Sequence, residues 1–462
     1  MKKTVWIAAA ALALAAGGVR AEEAAGDWGG LLAGQLHVIV HIQKANGAYT
    51  ASLESPDQGA FVLPADTITA TPDHLSFAIA KINGSYDGAW DAKQNAWVGT
   101  WTQGQNMPLV LTRLTAEQAK AAPQRRPQED AIAAGPLPYT SSEVTFDNAA
   151  AKVKLAGTFS VPAGQGPFPT VVLISGSGPN SRDENVFNHK VFLVVADALN
   201  RAGIAVLRYD KRGIGGSGGD YKSATTADFT ADAAAAVAWL KTRPEVDVKH
   251  IGVAGHSEGG LIAPAVAAAD PSVAFVVMLA GPGLRGDQIL LMQQDLIARA
   301  MGASDADIAP GAAINRKIYD AVIAANDLAD AKVRVKTALD AEVAAGRLPA
   351  DKVQPAIDEV TSPWMFYFLR YDPVPTLRQV RVPVLAIGGA LDLQVPANED
   401  LAAIKAALTG NPDATTVELP GLNHLLQTAT TGAPSEYGAI EETVSPVALK
   451  TVTDWVVAHT RP

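Results

Sequence analysis

The feature that most constrains this chain is a serine held between glycines at the end of an apolar run. Residues 251–260 read IGVAGHSEGG, so that Gly255, Ser257 and Gly259 form the pattern G-x-S-x-G. This spacing is typical of a nucleophile elbow, a tight strand-to-helix turn that exposes the serine hydroxyl. The residues before it predict a buried strand and those after it predict a helix, with Pro264 in the first turn. An ordinary glycine-rich strand–helix turn is the alternative at this stage.

From residue 141 onward, apolar runs of strand length alternate with helical segments. Runs of the buried-strand type cover residues 170–175, 204–209, 273–280 and 382–387. This alternation predicts an α/β fold, a mostly parallel sheet with helices on both faces, over residues 141–462. The long stretch between the last two runs has helical periodicity and no strand signal, which predicts a helical cap insertion over residues 284–372.

A serine nucleophile needs a base, and the base needs an acid that orients it. In this architecture the chain order is serine, acid, histidine. Only two histidines follow Ser257: His424, in a loop after a short strand, and His459, in the terminal helix. Asp392 is the first carboxylate after the preceding strand, with Asp372 as the second candidate. The sequence therefore predicts a triad of Ser257, Asp392 and His424, although the last two could also be ordinary loop residues.

Acyl transfer through a serine also needs backbone N–H groups that stabilise the oxyanion. One is expected from Glu258, the residue after the nucleophile. The second is expected from the loop at residues 175–183, SGSGPNSRD, whose small side chains let an amide point into the site. Within that loop we favour Ser177 and place Gly178 second.

The beginning of the chain has the composition of a secretory signal. Two lysines precede an apolar run at residues 5–16, and Val-Arg-Ala at residues 19–21 offers small residues for cleavage. The run is too short to span a bilayer comfortably. We therefore expect residues 1–21 to be a signal peptide and the protein to be exported, periplasmic or secreted, with no stable membrane anchor after cleavage.

Charge and composition exclude several classes of partner and cofactor. The net charge of −10 argues against nucleic acid and against an anionic membrane surface. The chain has no cysteine, so disulfides, Cys–His zinc sites and cysteine nucleophiles are excluded. His37 and His41 share one strand face and are interpreted as solvent-facing residues, so we expect no metal and no cofactor.

Residues 22–115 predict a small all-β accessory domain, a sheet or open barrel of five to seven strands. Asn46-Gly47 supplies a hairpin turn. Four aromatic residues fit either a ligand groove or a tryptophan-rich core: Tyr86, Trp90, Trp97 and Trp101. Residues 116–140 are polar and rich in proline, which predicts a linker, with Arg125-Arg126 as solvated charge or a basic handle.

Several of these motifs together resemble the α/β-hydrolase superfamily, and most of all bacterial serine carboxylesterases related to its dienelactone-hydrolase and prolyl-oligopeptidase branches. The resemblance covers about residues 141–462 and is carried by the motifs SGSGP (175–179), RYDKRGIG (208–215), GHSEG (255–259), GALD (389–392) and GLNH (421–424). It implies the α/β-hydrolase fold and maps Ser257, Asp392 and His424 onto the family's triad. The pattern GIGGSG at 213–218 also matches a dinucleotide fingerprint, but no ribose-binding acid follows and relatives share this loop without a nucleotide.

These observations favour an exported serine esterase that cleaves small-molecule carboxylic esters, with short to medium acyl chains, through an acyl-enzyme. A serine peptidase or aminoacyl-amide hydrolase with the same triad is the first alternative. The second is an envelope binding module, residues 22–115, that carries a hydrolase. A homodimer is left open. Aromatic residues after Pro363 are candidates for an apolar wall beside the serine, although a packed helix core explains them as well: Trp364, Phe366 and Phe368.

Overall fold

The computed structural model of the chain describes residues 24–32, 36–56, 59–103, 105–119 and 125–460. The signal peptide predicted at residues 1–21 lies outside this range. The chain divides into two compact units, unit 1 up to Pro123 and unit 2 from Gln124 onward. Each unit has its own hydrophobic core.

Unit 1 is a nine-stranded antiparallel sheet in the order β4-β3-β2-β1-β9-β8-β7-β6-β5. Its two edge strands, β4 and β5, follow one another in the chain. The residues that join them donate hydrogen bonds on opposite sides, Ala65 N to Ala51 O and Asp66 N to Ala78 O, both at 2.8 Å. The sheet therefore curls into a half-barrel. Its strands are β1 Gly26–Leu32, β2 Leu36–Ala45, β3 Ala48–Ser55, β4 Gly59–Pro64, β5 Thr67–Ala70, β6 His74–Ile79, β7 Gly84–Asp91, β8 Ala96–Gln103 and β9 Gln105–Arg113.

The predicted strand count of five to seven is too low for unit 1. The strands absent from the prediction are β1, which contains three glycines, and the short edge strands β4 and β5. β1 and β4 lack the apolar alternation on which the count depended, and β5 alternates over only four residues. The Asn46-Gly47 turn is confirmed: both residues have positive φ, 52° and 80°, and they join β2 to β3.

The tryptophan-rich core is the correct alternative for three of the four aromatic residues. Tyr86, Trp97 and Trp101 are at most 1% exposed and belong to the core of the half-barrel. Trp90 is half-buried and packs against them. His41, on the outer face, contacts Asp27 at 2.7 Å and Glu54 at 3.4 Å from neighbouring strands.

Unit 2 is built on an eight-stranded sheet in the order β10-β11-β15-β12-β16-β17-β18-β19. Strand β11 is antiparallel to both of its neighbours, and the pairs from β15 to β19 are parallel. Apolar clusters cover both faces of the sheet, one with α4, α5 and α12 and the other with α3 and α14. Its eight strands are β10 Tyr139–Asn148, β11 Val153–Pro162, β12 Phe168–Ile174, β15 Ala205–Tyr209, β16 Val246–His256, β17 Phe275–Leu279, β18 Val384–Gly389 and β19 Ala414–Leu419. Two further short strands, β13 Asn185–Val186 and β14 His189–Lys190, pair in a separate sheet.

Helix α1 belongs to unit 1, and the other described helices flank the unit 2 sheet or fill one long insertion. Helices α6 to α10 lie between β17 and β18, within the helical insertion predicted over residues 284–372, and the short helix α11 follows them. Pro264 lies inside α5 rather than in its first turn, because this helix already begins at Gly259. The helices are α1 Ala116–Ala119, α2 Pro127–Ala134, α3 Val191–Arg201, α4 Thr226–Leu240, α5 Gly259–Ala269, α6 Gly286–Ala300, α7 Asp305–Ile323, α8 Leu328–Ala344, α9 Val353–Val360, α10 Pro363–Arg370, α11 Val374–Leu377, α12 Ala397–Ala407, α13 Pro434–Tyr437 and α14 Pro446–Ala458.

Residues 125–140, interpreted from the sequence as part of a linker, are packed into unit 2. Arg126 is 5% exposed, and its guanidinium donates to the carbonyl oxygens of Asn188, Gly438 and Ile440 at 2.9–3.0 Å. Gln128 also bonds the backbone of residues 443–444. The expectation of solvated linker charge is therefore wrong for Arg126, whose buried charge is satisfied by carbonyl oxygens.

Candidate active site

Ser257 occupies the sharp turn between β16, which ends at His256, and α5. Its φ of 53° lies in the left-handed region, where a non-glycine residue is strained. The neighbouring glycines are required by space: a Cβ on Gly255 would lie 1.8 Å from Gly259 O, and one on Gly259 would lie 2.0 Å from Ile174 O. The Ser257 amide is held by Leu279 O at 2.9 Å. These contacts fix the hydroxyl at the end of the central strands.

His424 and Asp392 meet at the same edge of the sheet. His424 lies in the loop after β19 and Asp392 in the loop after β18, and His424 Nδ1 is 2.7 Å from Asp392 Oδ2. The other carboxylate oxygen of Asp392 accepts from the amides of Gln394 and Val395 at 2.8 and 2.9 Å. Both side chains are buried. The carboxylate is therefore fixed by three donors and fixes the histidine ring in turn.

Ser257 and His424 line one cavity of about 60 Å³, together with Ser177 and Glu258. The Ser257 hydroxyl forms no hydrogen bond within 3.5 Å to any residue that the structure describes. In enzymes without substrate such contacts are often long and tighten only in the complex. The amides of Ser177 and Glu258 likewise donate no hydrogen bond to other described residues. Two unused N–H groups thus lie beside the serine.

The residue before the serine forms a buried ion pair. His256 Nδ1 contacts Glu184 Oε1 at 3.0 Å, and His256 Nε2 donates to the carbonyl oxygen of His424 at 2.9 Å. Burial alone would lower the pKa of His256, but the Glu184 carboxylate and these hydrogen bonds hold the pKa above its ordinary value. With both ring nitrogens donating, His256 is an imidazolium that supports the backbone of His424.

The residue after the serine forms a second buried ion pair. Glu258 Oε2 accepts from Lys211 Nζ at 2.9 Å, and Glu258 Oε1 accepts from Thr226 Oγ1 and Trp364 Nε1, both at 2.7 Å. Lys211 also donates to Gly176 O at 2.6 Å. Both oxygens of Glu258 are therefore occupied by described residues.

The two ion pairs meet at one peptide group of the loop that holds Ser177. Gly176 N donates to Glu184 Oε1 at 2.5 Å, while Gly176 O accepts from Lys211. The side chains that flank Ser257 thus hold this loop through Glu184 and Lys211. Neither Glu184 nor Lys211 was predicted as a site residue. Both lie within or beside motifs that carried the family resemblance, SGSGPNSRDE and RYDKRG, and buried charges in such motifs are the signal that could have found them.

The predicted aromatic wall is brought to the cavity in part. Trp364 and Phe368, on α10, line the cavity with ring centroids 5.0 Å apart. Phe366 does not line it; its ring lies 4.6 Å from the Arg370 guanidinium and packs on the core of the helical insertion. The spacing explains the difference, because residues two apart on a helix point to different sides.

The other candidates lie elsewhere. Asp372 is exposed and accepts from Val374 N at 2.9 Å, and His459, at the end of α14, contacts Asp413. The glycine loop 213–218 packs against the Asp210 side chain of the protein, since a Cβ on Gly215 would lie 2.5 Å from Asp210 Oδ2.

Within the described ranges, no cluster of three or more metal-ligating side chains could hold an ion. Among the same residues, no helix is long and apolar enough to cross a membrane.

Comparisons with known proteins find hydrolases. The family model described as serine aminopeptidase, S33, matches residues 188–363. Esterase EstD of Thermotoga maritima is 30% identical over 273 residues, 59% of this chain and 58% of that protein. An uncharacterized protein of Mycobacterium tuberculosis is 29% identical over 150 residues, 31% of this chain and 49% of that protein. The chain thus spans about half the length of the curated relatives it matches.

Solved structures give weaker similarities. An esterase of Pyrococcus furiosus is 19% identical with a TM-score of 0.40, covering 70% of this chain and 90% of its own. Est1E of Butyrivibrio proteoclasticus, solved with ferulic acid bound, is 18% identical with a TM-score of 0.39, covering 68% and 96%. The mostly parallel sheet, the strained serine at its centre and the sequence relatives support one interpretation: this chain is similar to the α/β hydrolases and, among them, to bacterial esterases.

Proposed function

We propose that unit 2 is a serine hydrolase that cleaves carboxylic esters through Ser257, His424 and Asp392. The observation that carries the proposal is a cavity lined by a strained serine, by a carboxylate-oriented histidine and by two residues whose amides donate no hydrogen bond to described residues. Nucleophile, base and oxyanion donors are the parts that acyl transfer requires.

In the proposed reaction, His424 Nε2 takes the proton of the Ser257 hydroxyl as the oxygen attacks the ester carbonyl carbon. The carbonyl oxygen becomes an oxyanion that the amides of Ser177 and Glu258 stabilise. The tetrahedral intermediate collapses, the C–O bond to the alcohol breaks, and His424 donates its proton to the leaving alkoxide. Water then attacks the acyl-enzyme in the same way and releases the acid. Asp392 stabilises the imidazolium in both halves.

The lining of the cavity favours a neutral acyl group over a peptide with a free amino terminus. An aminopeptidase must bind the substrate's ammonium group, for which a free carboxylate is the natural partner. Glu258 is the one acidic side chain among the described lining residues, and its two oxygens already bind Lys211, Thr226 and Trp364. Amide hydrolysis stays the second candidate because the matching family model is described as a serine aminopeptidase.

The size of the cavity supports short acyl groups. About 60 Å³ corresponds to roughly four to six water-sized spheres, which suits an acetyl to butyryl group. Ile289, Leu290, Trp364 and Phe368 of the insertion supply much of its apolar lining. We therefore propose that helices α6 to α11 act as a cap that closes the acyl site and limits chain length.

The test is hydrolysis of p-nitrophenyl acetate, butyrate and decanoate, beside alanyl and leucyl p-nitroanilides, by the full chain. We expect the butyrate ester to be the best substrate, the decanoate a poor one and the anilides slower still. Ser257→Ala should lower kcat by about 10⁴- to 10⁶-fold. Ser177→Ala keeps its backbone amide and serves as the matched control with a small effect. Undiminished turnover in Ser257→Ala would refute the triad, and anilides cleaved faster than esters would favour the peptidase.

We also propose that the chain is exported with removal of residues 1–21, on the strength of the lysines, the apolar run and the Val-Arg-Ala sequence. Expression in a Gram-negative host, followed by periplasmic extraction and amino-terminal sequencing, tests this. We expect a mature protein that begins at Glu22. A cytoplasmic chain that keeps residues 1–21 would contradict the proposal.

A further inference from the structure

The half-barrel of unit 1 contains a cavity far larger than the one at Ser257. Its volume is about 340 Å³, within the range of pockets that hold small molecules. We call it the leucine cup, after the five leucines that line it: Leu32, Leu36, Leu53, Leu63 and Leu109. Trp101 forms part of the same wall.

The cup is confined to one end of the half-barrel. At the other end the interior is filled by Trp28, Trp90 and Trp97, whose rings meet edge to face with centroids 5.1–6.0 Å apart. Three tryptophans are enough to fill a barrel of this width, and interiors are normally packed without large voids. Leucines at the cup end leave a volume that is lined by apolar side chains and open to a ligand.

The polar groups of the cup wall already have partners within the protein, with one exception. Ser55 Oγ donates to His37 O at 2.9 Å, Trp101 Nε1 donates to Gln103 Oε1 at 3.1 Å, and Gln103 Nε2 donates to Ile82 O at 3.0 Å. The Lys81 ammonium forms no hydrogen bond or ion pair with the described residues. No described lining residue is acidic. The nearby Asp66 carboxylate is engaged by the Ala80 amide at 2.6 Å.

We propose that the leucine cup binds a medium- to long-chain fatty acid, with the alkyl chain inside the cup and the carboxylate at Lys81. The wall offers apolar contact and no unmet hydrogen bond, which suits an alkyl chain. Among the described lining residues, the rim offers one positive charge with no described partner, Lys81, which suits one anionic headgroup. A glycan fits this site less well, because Trp101 is the one aromatic residue among the described lining residues and is only 1% exposed. This binding site is independent of the triad in unit 2.

The experiment titrates dodecanoate, below its micellar concentration, into the full chain and follows the heat of binding. We expect one saturable site, with affinity that rises about fourfold for each methylene between octanoate and dodecanoate, the gain typical of burying one methylene group. Dodecyltrimethylammonium has the same chain with a positive head. It should bind at least several-fold more weakly than dodecanoate, because it meets Lys81 with like charge.

Matched variants locate the site. Leu53→Trp fills the cup and should weaken dodecanoate binding by tenfold or more, whereas Ile289→Trp fills the cavity at Ser257 and should leave it unchanged. Lys81→Met should weaken binding about threefold to fivefold, the usual worth of an exposed ion pair. Lys93→Met, an exposed lysine at the tryptophan end, is its control.

Thermal unfolding and circular dichroism establish that each variant is folded. If Leu53→Trp does not fold, two comparisons still test the proposal: Lys81→Met against Lys93→Met, and dodecanoate against dodecyltrimethylammonium. The proposal is overturned if dodecanoate does not bind, or if binding is lost in Ile289→Trp but kept in Leu53→Trp. It is also overturned if Lys81→Met binds dodecanoate as tightly as Lys93→Met does and dodecyltrimethylammonium binds as tightly as dodecanoate.

Discussion

The cavity at Ser257 and the leucine cup, one in each unit, are surrounded by opposite kinds of side chain. Around the small cavity, buried charges are paired: His256 with Glu184 and Lys211 with Glu258. The larger cup is lined mostly by apolar residues, five of them leucines, and Lys81 is the one charged side chain among its described lining residues. The polar network costs desolvation that an apolar interior does not.

The difference fits the functions proposed for the two cavities. A reacting serine, its base and two oxyanion donors must be held within a fraction of an ångström, and hydrogen bonds with fixed angles achieve that. Gly176 illustrates this, since both its N–H and its C=O are held by buried charged side chains. An alkyl chain has no such requirement, so a cup needs only volume and an apolar wall. Chemistry therefore requires rigid polar contacts, and apolar binding requires space.

Asp392→Asn is the strongest test of the polar contacts proposed to hold the cavity at Ser257. The amide keeps the shape of the side chain but removes the charge that stabilises the imidazolium, and it favours the wrong tautomer of His424. We expect kcat for p-nitrophenyl butyrate to fall about 10⁴-fold. The matched control is Asp372→Asn, an exposed carboxylate in the same part of the chain, with activity close to that of the wild type. Equal losses in both variants would refute the role of Asp392.

Local signals in the sequence were sufficient for the central part of unit 2. The elbow, the strand ends and the chain order of Ser257, Asp392 and His424 are each set by a few neighbouring residues, because a parallel sheet brings its carboxyl ends to one edge. The structure brings Asp392 and His424 to 2.7 Å, across 32 positions of sequence. Motif and topology together could therefore predict which residues meet.

Long-range polar contacts could not be predicted in this way. Arg126 looked like linker charge, yet it bonds carbonyl oxygens more than 300 residues away in sequence. Glu184 and Lys211 serve the site through Gly176, and no spacing rule links them to Ser257. The edge strands of unit 1 were missed because pairing with neighbours, rather than their own pattern, makes them strands. The cup itself has no sequence signature, because a volume left unfilled is a property of the whole half-barrel.

The second prediction compares a polar change near Ser257 with an apolar change in unit 1. Glu184→Gln leaves His256 without its counter-charge in a buried place, which should lower the free energy of unfolding by about 3 kcal/mol. Phe77→Leu, in the half-barrel, should cost only about 1 kcal/mol. Urea unfolding followed by circular dichroism measures both. An equal or larger loss in Phe77→Leu would break the contrast between the two interiors.

The stability lost in Glu184→Gln should also depend on pH in a definite direction. The pKa of His256 is raised in the folded state, so its pairing stabilises the protein fully below the unfolded value near 6.5 and is lost as pH rises through the folded pKa. The cost of Glu184→Gln should therefore be greatest near pH 6 and shrink in alkaline solution. A cost that grows with pH would show that His256 is neutral.

The third prediction concerns Asp400, which ties the start of the helical insertion to α12. Its Oδ1 accepts from the amides of Gly283 and Leu284 at 2.7 and 3.1 Å, while the buried Oδ2 has no partner among the described residues. Burial raises the pKa of Asp400 to about 7, the two amide bonds oppose this, and the charges of Asp392 and Glu399 add to it. This carboxyl is thus a polar group near the site whose burial is incompletely compensated.

The sign follows from proton binding. Between about pH 4 and 7 the folded chain keeps the proton of Asp400 while the unfolded chain releases it, so stability falls as pH rises, by at most about 4 kcal/mol. Asp400→Asn has no such proton, and its melting temperature relative to the wild type should rise steadily from pH 5 to pH 8. The exposed Asp340→Asn is the control, with a constant difference. A flat difference for Asp400→Asn would mean that the carboxylate is charged throughout this range.

The smallest expected effect tests how tightly the polar network is coupled to the apolar wall of the acyl site. Trp364→Phe keeps a ring to stack on Phe368 but removes the donor to Glu258 Oε1, which still accepts from Thr226. One remaining partner should limit the loss to about 1 kcal/mol of stability and less than tenfold in kcat/KM. Trp239→Phe, at a half-buried tryptophan at the opposite end of helix α4 from Thr226, controls for the loss of an indole. Suppose that kcat/KM falls a hundredfold or more in Trp364→Phe but not in Trp239→Phe. Glu258 and its backbone amide would then be positioned by the helical insertion rather than by Lys211. In that case the polar site and the apolar wall would not be separate at this residue.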